Sequence, residues 1–144
     1  MHTLDEYFRN CLFFAANALA RTVARMAEKE FAGLGLSPSH AFTLMLILEK
    51  PGIPQKDIAQ ALHLAPSTVT RFVDLLQTRG LVERQTESRS SLVSPTQAGK
   101  DLGPAMEAAW KRLYERYSDI LGKDTGEQLT SHIFSATQEL EKEG

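Results

Sequence analysis

The chain has 144 residues and a mass of 16.0 kDa, with 42% hydrophobic and 24% charged residues. These are ordinary proportions for one folded domain with its own core. Its net charge of −2 and pI near 6.1 give no whole-chain support to nucleic-acid binding, and no apolar run approaches the ~18 residues of a membrane span. The single cysteine, Cys11, excludes an intrachain disulfide framework. Together with an N-terminus that lacks a signal-peptide layout, it predicts a cytoplasmic protein.

A long first helix is expected to fill residues 1–32. Thr3 and Glu6 form a capping box at its start, and Leu4, Phe8, Cys11, Ala15, Ala18 and Thr22 recur at a spacing of about 3.5. Gly33 and Gly35 end it. Such a helix is too long for the interior of a small domain and is expected to run along a partner. Ser37-Pro38 opens a second helix, with serine as N-cap and proline at the first helical position. Its "FTLMLILEK" is apolar on nearly every side, and Pro51-Gly52 stops it. Pro54 starts a short third helix that faces Ile58, Ala59 and Leu62 inward. His63-Leu64-Ala65 is a turn, and Pro66 begins a fourth helix.

That fourth helix, "PSTVTRFVDLLQTRG", has two unlike sides. Val69, Phe72, Val73 and Leu76 form an apolar stripe, while Ser67, Thr70, Arg71, Asp74 and Thr78 share the opposite face, with Thr68 at its edge. After Gly80, "LVERQTE" and "LVSPT" flank "SRSS" and predict a two-stranded hairpin with Arg89 at its tip. Thr96 caps a fifth helix running to about Leu121, kinked at Gly103-Pro104. Its stripe of Met106, Trp110, Leu113, Tyr117 and Ile120 is matched by Leu129, Ile133, Ala136 and Leu140 in a last helix. The expected fold is mainly α with a small β-hairpin.

Two short helices joined by a tight turn and followed by a hairpin make a winged helix-turn-helix. Small hydroxyls let a helix approach the major groove. Arginine can bond guanine there in bidentate fashion, and an arginine at a wing tip suits the minor groove. Residues 66–100 carry a net charge of +2 against −4 for the remainder, a real but small asymmetry.

"IPQKDIAQALHLAPSTVTRFVDLLQTRGLVERQTESRSSLVSPTQAG" closely resembles the core of the MarR family of bacterial transcriptional regulators over residues 53–99. The resemblance rests on Ser67-Thr68-Val69-Thr70-Arg71, Val73-Asp74, Leu76, Arg79-Gly80-Leu81-Val82 and Arg84. It implies a single domain over 1–144, with a DNA-reading lobe at 37–99 flanked by dimerisation helices at 1–32 and 100–144. It further implies a homodimer that sets its recognition helices in successive major grooves of a pseudo-palindromic double-stranded operator. Where the family's wing often reads Asp-x-Arg-Asp-x-Arg, this chain has Glu87-Ser88-Arg89-Ser90-Ser91-Leu92, so one arginine remains. Pro54 replaces the usual serine or threonine cap of the third helix.

Ser67, Thr68, Thr70, Arg71 and Arg89 are therefore the expected DNA contacts. Gln55 and Lys56 are candidates for phosphate, against the alternative of a solvated helix start. Asp74 is expected either to hold the wing through Arg84 or Arg89, or to be an ordinary exposed carboxylate. Some members of the family sense peroxides through a first-helix cysteine. Cys11 lies near that position, although a lone thiol on an apolar stripe is by default inert. The family also places a ligand crevice between the first, second and fifth helices, where His40, Asn17 and Arg21 would face a small aromatic or phenolic effector such as an aromatic acid. The plainer reading of His40 is a capping or surface histidine.

His2, His40, His63 and His132 are too scattered for a metal site. No cofactor is expected, and neither a nucleophile–base pair nor a phosphate loop suggests an enzyme. The reading is a homodimeric repressor released by a small effector. The alternatives are a thiol-based repressor using Cys11 and a winged-helix protein-interaction module without DNA binding.

Overall fold

The computed structural model describes residues 3–87 and 89–143; His2 and Ser88 lie outside the described residues. The N-terminal stretch forms α1 (Leu4–Asn10) and α2 (Leu12–Phe31) rather than one helix. The predicted capping box is present, with the Thr3 amide donating to Glu6 Oε2 at 2.9 Å and the Glu6 amide to Thr3 Oγ1 at 3.3 Å. The break falls at Cys11, whose backbone is extended. The aromatic residues account for it. On a straight helix Phe8 and Phe14 would lie about 9 Å apart along the axis and on different faces, yet their ring centroids meet edge-to-face at 4.8 Å. The Asn10 side chain also donates to the Glu6 carbonyl at 2.9 Å, a local bond of the kind that loosens a helix.

A 3-10 turn (Ala32–Leu34) leads through Gly35, at φ 70°, to α3 (Pro38–Glu49), capped by Ser37. Ala41, Thr43, Leu44 and Ile47 of α3 are buried, and the Thr43 hydroxyl donates to the Ser39 carbonyl. The predicted hairpin is β2 (Val82–Glu87) with β3 (Ser90–Pro95), joined by a third strand that the sequence does not signal, β1 (Ile53–Pro54). The sheet order is β1-β3-β2, antiparallel throughout, with Ile53 opposite Val93 and Val82 opposite Pro95. Pro54 thus ends an edge strand and serves as the N-cap of α4 (Gln55–Leu62) instead of being its first residue. Having no N–H, proline is tolerated at such an edge.

The turn His63-Leu64-Ala65 then leads into α5 (Pro66–Thr78). Thr96 caps α6 (Gln97–Asp101) through a 3.2 Å bond from the Gly99 amide. The kink expected at Gly103-Pro104 is a break at Leu102, and α7 (Gly103–Leu121) begins with that pair. The last helix is α8 (Lys123–Glu141). Phe31, Leu44, Ile47, Ile58, Val69, Val73, Leu76, Val82, Val93 and Met106 form the core, centred where α3 meets α5 and the root of the hairpin. No single helix among the described residues is long and apolar enough to cross a membrane.

The contact that leaves least room is at Gly99, where an added Cβ would stand 2.2 Å from the Leu81 carbonyl oxygen. Gly99→Ala is therefore expected to lower stability by about 1–3 kcal/mol. Gly33→Ala, with nothing within 4 Å, should be close to neutral. Urea midpoints of the two variants check this.

Candidate nucleic-acid interface

Arg84 leaves β2 and reaches across the groove between the hairpin and the helix-turn-helix. Its Nε donates to Gln55 Oε1 at 2.6 Å, its Nη1 to Gln77 Oε1 at 2.7 Å, and its Nη2 to the Thr70 carbonyl at 3.1 Å. Nη1 also stands 2.7 Å from Asp74 Oδ1. Of the two partners expected for Asp74, the structure selects Arg84 rather than Arg89. Thr70, Asp74 and Gln77 follow the i, i+4, i+7 spacing of one α5 face, so Gln77 was detectable as a partner by the same periodicity, although sequence reasoning passed over it. The Arg84 side chain is 19% exposed and that of Asp74 59%. The ion pair is screened by water and contributes little. The hydrogen bonds to three further acceptors, made by a group largely removed from solvent, contribute more.

This network changes the position of Gln55. Its carboxamide oxygen accepts from Arg84, and its nitrogen donates to Thr70 Oγ1 at 3.3 Å. The side chain expected at a phosphate is instead a brace between α4, α5 and the wing. Thr70 Oγ1 in turn donates to the Pro66 carbonyl at 3.1 Å. Ser67 and Arg71 are exposed on the same side of α5, and half-buried Thr68 accepts a long, 3.5 Å contact from Arg71 Nη2. Lys56 is exposed on the first turn of α4, and Arg89 is exposed at the turn between β2 and β3. Neither α4 nor α5 has a side-chain cap at its N-terminus, which leaves backbone N–H groups for an anion.

His40 sits on the first turn of α3, beside the cap residue Ser37. His40 Nδ1 lies 2.5 Å from Ser37 Oγ, and its ring packs on Phe72 of α5 at 4.5 Å between centroids. It therefore belongs to the support of the recognition helix. Asn17 donates to the Phe13 carbonyl, and both Asn17 and Arg21 are exposed. A cleft of about 500 Å³ does lie between α2, α3, the α4–α5 turn and α7, and none of the three lines it. Its walls include Ala24, Phe42, Leu62, Leu64, Trp110 and Tyr117, and no lining residue carries a charge near neutrality. Burial pushes the Tyr117 phenol above its usual range. The Tyr114 phenol is raised by its 2.8 Å hydrogen bond to Glu127. Cys11 is partly buried at the α1–α2 break. Among the described residues no cluster of His, Cys, Asp and Glu could hold a metal ion.

Residues 36–90, from the loop before α3 to the wing, match the model of the MarR family. The likeness to that family is confined to this segment, which is less than half of the chain. Over 91 residues it is 25% identical to the HTH-type transcriptional regulator YybA of Bacillus subtilis (strain 168), and the match spans 61% of the length of each protein. The fold is similar to that of CouR from Rhodococcus jostii RHA1 bound to p-coumaroyl-CoA, at 25% identity and a TM-score of 0.78, covering 90% of this chain and 93% of that one. The transcriptional repressor CouR bound to a 23-mer DNA duplex superposes with a TM-score of 0.82 at 23% identity, covering 95% and 99%. The winged helix thus has the fold of these solved structures, and in this chain the wing residue Arg84 is tied into its centre.

Two outcomes are expected from this geometry. Arg84→Ala should cost about 1–3 kcal/mol in urea unfolding, because it removes three hydrogen bonds made by a largely enclosed guanidinium and leaves the half-buried Gln55 carboxamide without its donor. Asp74→Asn should cost less than about 1 kcal/mol, and a larger drop for Asp74→Asn than for Arg84→Ala would reverse the ranking. His40 supplies the second. Its pKa is lowered from 6.5, first by burial and then by the nearby Arg79 cation. The folded state therefore takes up this proton less readily than the unfolded chain. The stability it contributes is complete above the unfolded pKa and is lost as pH falls through the folded one. Between about pH 7.5 and pH 5.5 the wild type should lose more stability than His40→Gln, measured as the difference between their urea midpoints.

Proposed function

We propose that the protein is a sequence-specific transcriptional regulator that binds double-stranded DNA as a homodimer, represses from a pseudo-palindromic operator, and is released by a small aromatic effector. The observation that carries this reading is the exposed hydroxyl-and-arginine face of α5. It is held in fixed relation to the wing through Arg84, so that helix and wing approach a duplex as one body. Ser67, Thr68, Thr70 and Arg71 would meet base edges and phosphates in the major groove, and Arg89 the minor groove. Lys56 would contact phosphate.

The second copy is supported by the ends of the chain. No residue of α1 is buried, and Gly126 is the one buried residue of α8. Leu4, Phe13, Ile120 and Leu140 are 61–71% exposed. Apolar area on this scale marks an interface, and α1, α7 and α8 are the helices that would build it. The uncharged cleft beside Leu62 and Leu64 supports a neutral aromatic effector in place of the aromatic acid expected from the sequence, since it offers no cation to pair with a carboxylate. Binding there would favour a head spacing that no longer matches one turn of duplex.

Selection of duplexes from a random pool, followed by binding over a salt series, tests the reading. A pseudo-palindrome is expected, and Arg71→Ala and Arg89→Ala should each flatten the log–log salt slope by about 0.9 for every phosphate that the variant no longer neutralises. No preferred sequence, with slopes indifferent to both arginines, would overturn it in favour of a protein-interaction module. A recovered operator also provides the reporter for screening neutral and acidic aromatic compounds.

A further inference from the structure

His63, the first residue after α4, is the one non-glycine among the described residues with a positive φ, at 55°. It ends α4 by donating its amide to the carbonyls of Ala59 and Gln60, while the Leu64 amide returns to Ala59. Glycine or asparagine sits in this conformation at lower cost. Histidine is also among the residues found there more often than most, and here its side chain is engaged. That side chain reaches across 78 positions of sequence, and Nδ1 lies 2.7 Å from Glu141 Oε1 on the last turn of α8. The neighbouring Lys142 is engaged with Glu139 at 2.9 Å and does not compete for Glu141 in this arrangement.

The position of the turn gives the pairing its meaning. Leu62 and Leu64 line the cleft between α2, α3 and α7, whereas His63 between them lines a second cleft, also of about 500 Å³, walled by α2, α7 and α8. The turn is a wedge between the two clefts, gripped from one side by α8. We propose that the His63–Glu141 pair is a latch through which the C-terminal helix holds the turn of the reading lobe. It fixes how α5 sits on the helices that carry the dimer interface. His63 and Glu141 are positioning residues, and the role in reading rests on the DNA-binding function proposed above.

Amide hydrogen exchange on the full-length protein, without DNA, tests the latch in the wild type, His63→Asn, Glu141→Gln and the double variant. Asparagine tolerates the left-handed backbone, so the turn itself is kept. Each single variant is expected to speed exchange about threefold or more in both segments, residues 62–66 and 138–142. The double variant should be no worse than either single one, since all three break the same pairing. Acceleration confined to the substituted segment, or effects that simply add, would overturn the latch.

Affinity for a selected duplex is expected to fall about threefold in each variant, with dimerisation unchanged. Coupled exchange with unaltered affinity would refute the positioning role. If the wild type prefers no duplex, the DNA-binding reading fails, and the exchange measurement still decides the latch.

Discussion

The arrangement depends on one guanidinium. Arg84 grows from the wing, yet its donors end on α4 and on three positions of α5, so the three elements that form the candidate interface share a single polar centre. Arginine suits that place because its donors are fixed in a plane and cannot all be turned toward water at once. The same group removes a liability. Asp74 projects from the face that would approach phosphates, and Arg84 balances its charge locally. A carboxylate that would repel DNA becomes part of the frame that presents Ser67 and Arg71.

The core and the ends of the chain solve different problems. The lobe from α3 to β3 buries its large apolar side chains within one copy, with Leu44, Ile47, Val73 and Val93 wholly enclosed. By contrast, α1 and α8 turn their apolar stripes outward. A chain divided in this way can change how the lobe is carried without repacking the lobe. Ion pairs from Arg112 and Arg116 to Glu30 fasten α7 to the end of α2.

What the sequence made legible was chemistry closed within a few residues. Thr3 with Glu6, Ser37 with the His40 amide, and Thr96 with the Gly99 amide are caps spanning three positions. The turn between α4 and α5 and the two faces of α5 follow from periodicity. The misses have a different range. No glycine or proline announces the break at Cys11, which depends on where aromatic rings can meet. The strand Ile53–Pro54 is too short to signal itself and exists through its pairing with Leu92 and Val93. Gln55 looked like a helix-start side chain free for phosphate because its partner, Arg84, stands 29 positions away. Sequence gives the helix turn that His40 occupies but not that its ring lies against Phe72.

The wing is built unevenly along its length. At its root Val82 and Val93 are 1% and 0% exposed, and the Thr96 and Gly52 amides pin the strand ends to Leu81 and Val93. Toward the tip Gln85, Thr86, Glu87 and Arg89 are all exposed, so little but the ladder itself resists opening there. The shoulder of this arm moves only with the core, whereas its hand can open alone. Arg89 is therefore carried at the loose end of an arm with a fixed origin. A partner engaged there would order that end at an entropic cost, which favours ready release over tight capture.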